Sequence, residues 1–351
     1  MALLLCLFLI ACGGGGGSDA PSGGGNGGNG NGGGNGDGGD SGEPAILPSE
    51  NWLCFKADQN NCSIKTSVIG SLAVTPSLEY SKDKEIWTPF IIASTIVDLP
   101  NTDDKVYIRA TSSNASFSGA GGYIRFVITG FVSASGNIMS LLDKNCGGNS
   151  VPERAFRQLF YNNSTLTTAP KLPATILGSY CYSSMFNGCS SLTTAPDLPA
   201  TTLADYCYFH MFKDCSSLTA VPTELPAINL ATRCYEGMFK DCSAMATAPD
   251  LPATTLAEAC YISMFDGCSA LTTAPALPAT TLANSCYAFM FSDCSSLSSI
   301  TVNFTTWDNA YTADWVSWVP SDGTFTCPAG LLEEYGDSRI PSGWDVQHPT
   351  P

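Results

Sequence analysis

A repeat of 26 residues is the feature that most restricts how this chain of 351 residues can fold. From residue 155 onward, a Leu-Phe or Met-Phe dipeptide occurs six times, at intervals of 26, 26, 27, 26 and 26 residues. Its phenylalanines are Phe160, Phe186, Phe212, Phe239, Phe265 and Phe291. One such unit cannot bury its apolar face alone, so a repeat of this length indicates units that stack side by side. We therefore predict a solenoid over residues 151–300.

The composition of one unit predicts a strand, a turn and a short helix. A representative copy reads LTTAPDLPATTLADYCYFHMFKDCSS and begins at Leu192. Pro196 and Pro199 exclude helix directly after the strand, whereas residues 204–213 contain neither proline nor glycine and are long enough for two or three helical turns. Positions that stay apolar from copy to copy predict a shared core, made in this copy by Leu192, Ala195, Leu198, Leu203, Cys207, Phe212 and Cys215.

The unit resembles the BspA-like class of bacterial leucine-rich repeats, whose copies end in Ala-Phe-x-x-Cys. The corresponding endings here are Met-Phe-Asn-Gly-Cys189 and Met-Phe-Lys-Asp-Cys215. The copies are a few residues longer than the usual form of that class, with added Pro and Thr after the strand. The resemblance covers about residues 155–300 and implies a non-enzymatic cell-surface lipoprotein that mediates adhesion to host or microbial surfaces.

The regions on either side of the repeats have their own patterns. Residues 51–150 contain short segments rich in β-branched and aromatic residues, with alternation clear over 106–109, which predicts an antiparallel β-sandwich-like domain. Residues 301–351 hold four of the six tryptophans, which we expect to form a C-terminal cap on the last repeat. The predicted fold class is thus α+β: a β-sandwich-like domain, a leucine-rich-repeat solenoid and a Trp-rich cap.

The N-terminus predicts export and a lipid anchor. Residues 1–12 form an apolar run too short to span a bilayer but suited to a signal peptide, and residues 9–12 resemble a bacterial lipobox ending in Cys12. The alternative is an ordinary signal peptide with a chance cysteine. No Lys or Arg precedes the run, so we expect either an upstream start codon or an atypical signal. The predicted location is the outer membrane of a Gram-negative bacterium, at the cell surface.

Residues 13–50 are predicted to be a disordered tether between this anchor and the folded chain. Residues 13–42 contain 18 of the 34 glycines, mixed with Asn, Ser and Asp. A segment of that composition cannot bury enough apolar surface to fold.

Charge and histidine content exclude several functions. Fifteen Lys and Arg against 31 Asp and Glu give a net charge of −16, which argues against nucleic acid and against membrane binding other than through the lipid. Two histidines, His210 and His348, leave almost no room for a histidine triad or a multi-histidine metal site. No phosphate loop, nucleophile elbow or zinc motif is present in the sequence. We expect no enzyme activity, no cofactor and no metal, and we expect His210 to be exposed.

Ten cysteines occur in the repeats as pairs eight residues apart: Cys181/Cys189, Cys207/Cys215, Cys234/Cys242, Cys260/Cys268 and Cys286/Cys294. Eight helical residues would separate such a pair by about 12 Å, beyond the reach of a disulfide. Buried free thiols are the favoured interpretation, with bridges between neighbouring copies as the alternative. Cys54 and Cys62 are the best candidates for a native disulfide.

A binding face is predicted on the strand side of the repeats. Hydroxyl and acidic side chains recur there beside each strand, at Thr193, Thr194, Asp197, Thr219, Glu224, Thr247, Asp250, Thr272 and Thr273. We expect a monomer that binds an extracellular protein or glycan, and for the acidic column itself a solvated acidic edge is the favoured interpretation over a site for a cation or a basic partner. The first alternative is carbohydrate binding on an exposed tyrosine column or on the tail tryptophans; the second is a structural spacer without a ligand.

Overall fold

The computed structural model describes residues 52–115 and 117–349, all within one compact unit of the chain. The lipidation predicted at Cys12 and the tether predicted at 13–50 lie outside the described residues. One hydrophobic core runs from Leu53 to Trp344, through the predicted β-rich region, the repeats and the C-terminal region. Within the described residues, no helix is both long and apolar enough to cross a membrane.

Residues 52–135 form eight strands in two sheets, linked by polar turns. The strands are β1 (Leu53–Ala57), β2 (Cys62–Gly70), β3 (Leu78–Ser81), β4 (Thr88–Phe90), β5 (Ile96–Leu99), β6 (Lys105–Ala110), β7 (Gly122–Thr129) and β8 (Val132–Ser135). One sheet has the order β5-β2-β7, with antiparallel pairing throughout. The other contains β8-β1-β6-β3-β4, also antiparallel. Phe55 of the second sheet contacts Phe126 of the first, with 5.1 Å between ring centroids.

Short parallel pairings join this region to the repeats and close the C-terminus. A 3-10 helix at Ile138–Leu141 follows β8, with Asn137 accepting a hydrogen bond from the Met139 amide. The remaining strands are β9 (Ser150–Val151), β10 (Leu166–Thr168), β11 (Ile176–Leu177), β12 (Ser299–Thr301), β13 (Thr324–Thr326) and β14 (Asp345–Gln347). β10 adds to the larger sheet beside β8, β11 pairs with β9, and β12-β13-β14 form a parallel sheet. A four-residue helix, α1 (Asn309–Thr312), precedes β13.

The predicted α+β class is wrong. The structure is 3% helical and 26% strand, with several small sheets instead of a helical leucine-rich-repeat solenoid. Residues 204–213, expected to be helix, form consecutive turns. Their amides alternate between two kinds of partner: Tyr206 N–H donates to Thr232 O of the next copy at 3.1 Å, whereas Cys207 N–H donates to Ala204 O at 3.2 Å. A helix directs every amide to a partner four residues back in the same segment, so this alternation excludes it.

Backbone conformation in the turns repeats every four residues. Tyr206, His210 and Asp214 have φ of 58°, 51° and 61°. For residues other than glycine this left-handed conformation costs roughly 1–2 kcal/mol each. The amides of these same residues donate to the next copy, at 2.9 Å from His210 to Glu236 O and at 2.9 Å from Asp214 to Lys240 O. Hydrogen bonds between copies therefore offset the conformational cost.

Stacked aromatic rings fill the core of the repeats. The six phenylalanines of the repeated dipeptide are stacked on one another, from Phe160 to Phe291, and the centroids of neighbouring rings are 5.3 to 5.9 Å apart. A tyrosine column runs beside them, made of Tyr182, Tyr208, Tyr235, Tyr261 and Tyr287. All of these phenylalanines and tyrosines are buried. The prediction that Phe212 and Cys215 belong to a shared core is confirmed, because both are 0% exposed.

Two of the tail tryptophans are buried and one is largely exposed. Trp315 is 0% exposed and lies 6.1 Å from Phe291, the last phenylalanine of the stack. Trp344 is also buried, and its indole N–H donates to Pro320 O at 2.8 Å. Trp318 is 80% exposed. Trp315 therefore covers the end of the phenylalanine stack, which is the contact expected of a cap.

Candidate binding face of the repeats

The predicted face contains a row of exposed side chains that backbone pairing holds in register at all but one step. We call Thr194, Ala220, Thr247, Thr273 and Ser299 the threonine row. Parallel bridges join Thr194 to Ala220, Thr247 to Thr273, and Thr273 to Ser299, whereas no bridge between described residues joins Ala220 to Thr247. The first four are exposed and Ser299 is half-buried. Paired strands lie about 4.8 Å apart, so the hydroxyls of Thr247, Thr273 and Ser299 lie on consecutive rungs at that spacing.

The row is exposed because its neighbours in sequence are the core residues. Leu192 is 0% exposed and Ala195 is 8% exposed, so the chain buries both ends of the tetrapeptide and leaves Thr193 and Thr194 outside. The same arrangement recurs around Thr272 and Thr273, between Leu271 and Ala274.

A second set of predicted residues lies beside the threonine row and shares its hydrogen bonds. The Thr219 amide donates to Thr193 O at 3.0 Å, and the Thr219 hydroxyl donates to the same oxygen at 3.3 Å. The Ser298 amide and hydroxyl do the same to Thr272 O, at 2.9 and 3.1 Å. All nine predicted threonine and acidic positions are exposed. Each hydroxyl that donates to the backbone keeps its acceptor lone pairs for a ligand.

The predicted acidic column is only partly assembled. Glu224 and Asp250 are in register, with the Leu225 amide donating to Asp250 O at 3.0 Å. No bridge between described residues joins Asp197 to Glu224. Asp197 lies in a copy of 26 residues, and the next copy has one inserted residue near 223–224. This insertion breaks the register between the two copies.

Asp197 instead faces a groove at the beginning of the repeats. The groove has a volume of about 740 Å³ and runs between Thr168 and Thr194, with Lys171 and Asp197 on its walls. Four prolines also line it: Pro170, Pro173, Pro196 and Pro199. Prolines carry no amide donor and fix φ, so the floor of the groove is rigid and offers mainly side-chain polar groups.

A further row of exposed side chains was not predicted from the sequence. Thr202, Asn229, Thr255 and Thr281 are all exposed, and bridges join Asn229 to Thr255 and Thr255 to Thr281. The signal was present as the tripeptide Ala-Thr-Thr, which recurs at Ala200, Ala253 and Ala279. Three copies therefore contribute an exposed threonine at two separate positions, and the copy between the first and the second of them has Ala220 and Asn229 instead.

The tyrosine column cannot be a sugar-stacking platform. Its five rings are 1–2% exposed, and each ring has its face against the ring of the next copy, with interplanar angles of 4° to 16°. The carbohydrate hypothesis based on exposed tyrosines is therefore wrong.

The repeat cysteines are core residues. All ten are buried and unbonded to other cysteines. Burial raises the pKa of the thiols, to about 12 in Cys234 and Cys286, so they remain protonated and unreactive at neutral pH. In one column each thiol donates to a phenylalanine carbonyl of the preceding copy, at 3.1 Å from Cys215 to Phe186 O. The disulfide predicted between Cys54 and Cys62 is not formed, since both thiols are free.

His210 is not the exposed position predicted. It is half-buried, with its ring 3.9 Å from that of Phe209 and close over the Gly237 backbone of the next copy. Desolvation lowers its pKa to about 4, with Lys213 and Lys240 adding to the effect. The group is therefore a neutral packing residue at physiological pH.

Among the described residues, His, Cys, Asp and Glu side chains form no group of three or more that is suited to a metal ion. Comparisons of the chain with protein-family models, curated proteins and solved structures returned no match.

Proposed function

We propose that this protein is a non-enzymatic binding protein, anchored through a lipid at Cys12 on the bacterial surface, which adheres to an extended extracellular protein or glycan. The observation that supports the proposal is the threonine row, in which the hydroxyls of Thr247, Thr273 and Ser299 lie on consecutive bridged rungs and Thr194 is exposed at the beginning of the row. An array of many weak hydrogen-bonding groups suits a long partner better than a small molecule, because each contact adds little and the rigid backbone avoids an ordering cost.

Substitution of the threonine row tests the binding face. Thr194, Thr247 and Thr273 changed together to Val keep the β-branched shape but lose the hydroxyls, and the corresponding change to Lys adds bulk and charge. In the full-length protein, solubilised in detergent, we expect binding to an array of matrix proteins and glycans to weaken with Val and to disappear with Lys.

The matched control lies on the turn side of the repeats. Lys240 and Asp266 form an ion pair there, so the double exchange Lys240→Asp with Asp266→Lys preserves the pair and should leave binding unchanged. Retained binding in the Thr→Lys variant together with loss in the turn-side control would place the binding face on the turns and refute the proposal.

Lipidation is tested separately. Cys12→Ser should move the protein from the membrane fraction to the soluble fraction, and mass spectrometry of the wild-type N-terminal peptide should show acyl chains on Cys12. A Cys12→Ser variant that stays with the membrane would show that the anchor lies elsewhere.

A further inference from the structure

A lysine-lined pocket opens on the outer face of the larger sheet, where β1, β6, β8 and β10 lie side by side. Its volume is about 520 Å³, within the range of small-molecule sites. Three lysines line it, Lys56, Lys84 and Lys105, together with the hydroxyl residues Ser133, Ser135 and Thr168. In a chain of net charge −16, the convergence of three lysines on one concave surface is a local concentration of cationic side chains.

Two of these lysines have no carboxylate partner within the described chain. Lys56 is paired with Asp58 at 3.2 Å and Asp103 at 3.3 Å, and both carboxylates raise its pKa. The ion pairs of the described residues include neither Lys84 nor Lys105. Lys105 lies directly opposite Lys56 in the β1–β6 register. Lys56 is neutralised by its two carboxylates, so Lys84 and Lys105 are the ammonium groups left to bind an anion.

Lys84 is directed to the pocket by a strained turn. Its φ is 68°, in a turn closed by Asp83, whose carboxylate accepts from the Glu85 and Ile86 amides at 2.9 Å each. The turn places the Lys84 ammonium 4.7 Å from the centre of the Tyr107 ring. Tyr107 follows Lys105 by two residues on β6, so both ammonium groups lie on the same face of that strand.

We expect the ligand to be recognised mainly by side chains. β1, β6 and β8 are paired on both sides, whereas β10 is the edge strand of this sheet and contributes Thr168 to the pocket. The available groups are ammonium and hydroxyl. The Ser133 hydroxyl donates to Asp58 Oδ1 at 3.1 Å and the Thr168 hydroxyl donates to Ala134 O at 2.7 Å, so these two hydroxyls offer a ligand their acceptor lone pairs. Lysines act as point charges for carboxylate, sulfate or phosphate, and hydroxyls suit the hydroxyl groups of a sugar. These features favour an anionic sugar over an acidic peptide.

The pocket lies next to the groove at the beginning of the binding face. Thr168 lines both this pocket and the groove that reaches Thr194 and Asp197. Further along the repeats, Glu224 and Asp250 present negative charge in register. The lysines lie at the beginning of the repeats and the carboxylates lie further along them. This arrangement would favour one orientation of a bound polymer that has a single anionic end.

We infer that this pocket binds a carboxylated or sulfated sugar unit of an extended glycan whose remainder lies along the threonine row. The inference rests on the proposed function for its second part only, because nine of the ten residues that line the pocket precede the repeats.

The test uses a sulfated, uronic-acid-containing disaccharide, which is too short to reach the threonine row, with its desulfated and carboxyl-reduced form as the neutral counterpart. In the full-length protein, Lys84→Gln with Lys105→Gln should weaken binding of the anionic disaccharide by about tenfold or more. The charge-preserving pair Lys84→Arg with Lys105→Arg should retain most of the affinity. The matched control is Lys65→Gln with Lys144→Gln, two exposed lysines outside the pocket, which should bind as wild type.

Equal affinity for the anionic and the neutral disaccharide, or wild-type affinity in the Lys84/Lys105 double glutamine variant, would overturn the inference. Tighter binding of a polyglutamate peptide than of the anionic disaccharide would also overturn it, in favour of an acidic protein partner. If the disaccharide experiments overturn the inference while the threonine-row variants still lose binding to the array, the proposed function stands without the pocket. If the disaccharide binds as expected but the threonine-row variants bind the array normally, the pocket stands and the proposed face is wrong.

Discussion

The β-rich region and the repeats both rely on hydrogen bonds between distant chain segments, but they make them differently. In the first, β2 and β7 pair antiparallel over eight positions, from Ser63 opposite Thr129 to Gly70 opposite Gly122. In the repeats, every second amide of the turn segments bonds to the next copy and the others close local turns. The repeat conformation is therefore stable only beside another copy, whereas a strand pair needs only its partner strand.

Ring packing differs in the same way. Phe55 meets Phe126 at 66° and Trp52 meets Trp87 at 86°, whereas Phe186 meets Phe212 at 2° and Phe212 meets Phe239 at 5°. Copies related by translation place identical side chains in identical orientations, so their rings must stack face to face. The comparison shows that repetition, and not the preference of an aromatic pair, determines ring geometry in the repeats.

The largest expected effect concerns the phenylalanine stack. Phe212→Ala should destabilise the protein by about 3–5 kcal/mol, because it leaves a cavity between the rings of Phe186 and Phe239. Unfolding should also become less cooperative, since each copy contacts only its neighbours. Chemical denaturation followed by circular dichroism measures both. Phe289→Ala is the control, because Phe289 is 39% exposed; equal losses in the two variants would contradict the stacked core.

A smaller effect is expected at the left-handed positions that distinguish the repeats from the sheets. Asp214 has φ of 61° and is exposed. Asp214→Val should cost roughly 1–2 kcal/mol more than Asp214→Gly, because a β-branched residue is strained in this conformation and glycine is not. Both variants lose the same charge, so the difference in their unfolding free energies isolates the backbone term. Equal stability of the two would mean that the segment is not in the repeating turn conformation.

The smallest predicted effect is a pH dependence that originates in the repeats. In the folded protein the pKa of His210 is lowered to about 4, against about 6.5 in an unfolded chain. Between these values the unfolded chain binds a proton that the folded protein does not, so stability should fall as the pH drops from 6.5 towards 4. Thermal melting at pH 7 and pH 5 should show a smaller difference in His210→Gln than in wild type. His348→Gln, at the C-terminal end, is the control; a His210→Gln variant with the wild-type difference would show that the ring is solvated.

The failure of the helix prediction has a specific cause. Buried residues of one copy lie at Cys207, Tyr208, Met211, Phe212 and Cys215, a spacing of four that cannot be separated from the 3.6-residue helical period over nine residues. One sequence signal favoured turns: the last left-handed position of each copy is Asn162, Gly188, Asp214, Asp241, Gly267 or Asp293. Gly, Asn and Asp are the residues that tolerate this conformation best, so their recurrence at this position in all six copies was informative.

By itself the sequence determined the length of the repeat, the side chains that share a core and the exposure of the threonine positions, because these depend on composition at a fixed interval. The tertiary structure decided the rest. It determined the turn conformation, since the amide partners that stabilise it, such as Thr232 O for Tyr206, lie in another copy. It also decided the convergence of Lys84 and Lys105, because strand pairing and a strained turn, which no local pattern encodes, bring residues 21 positions apart to one pocket.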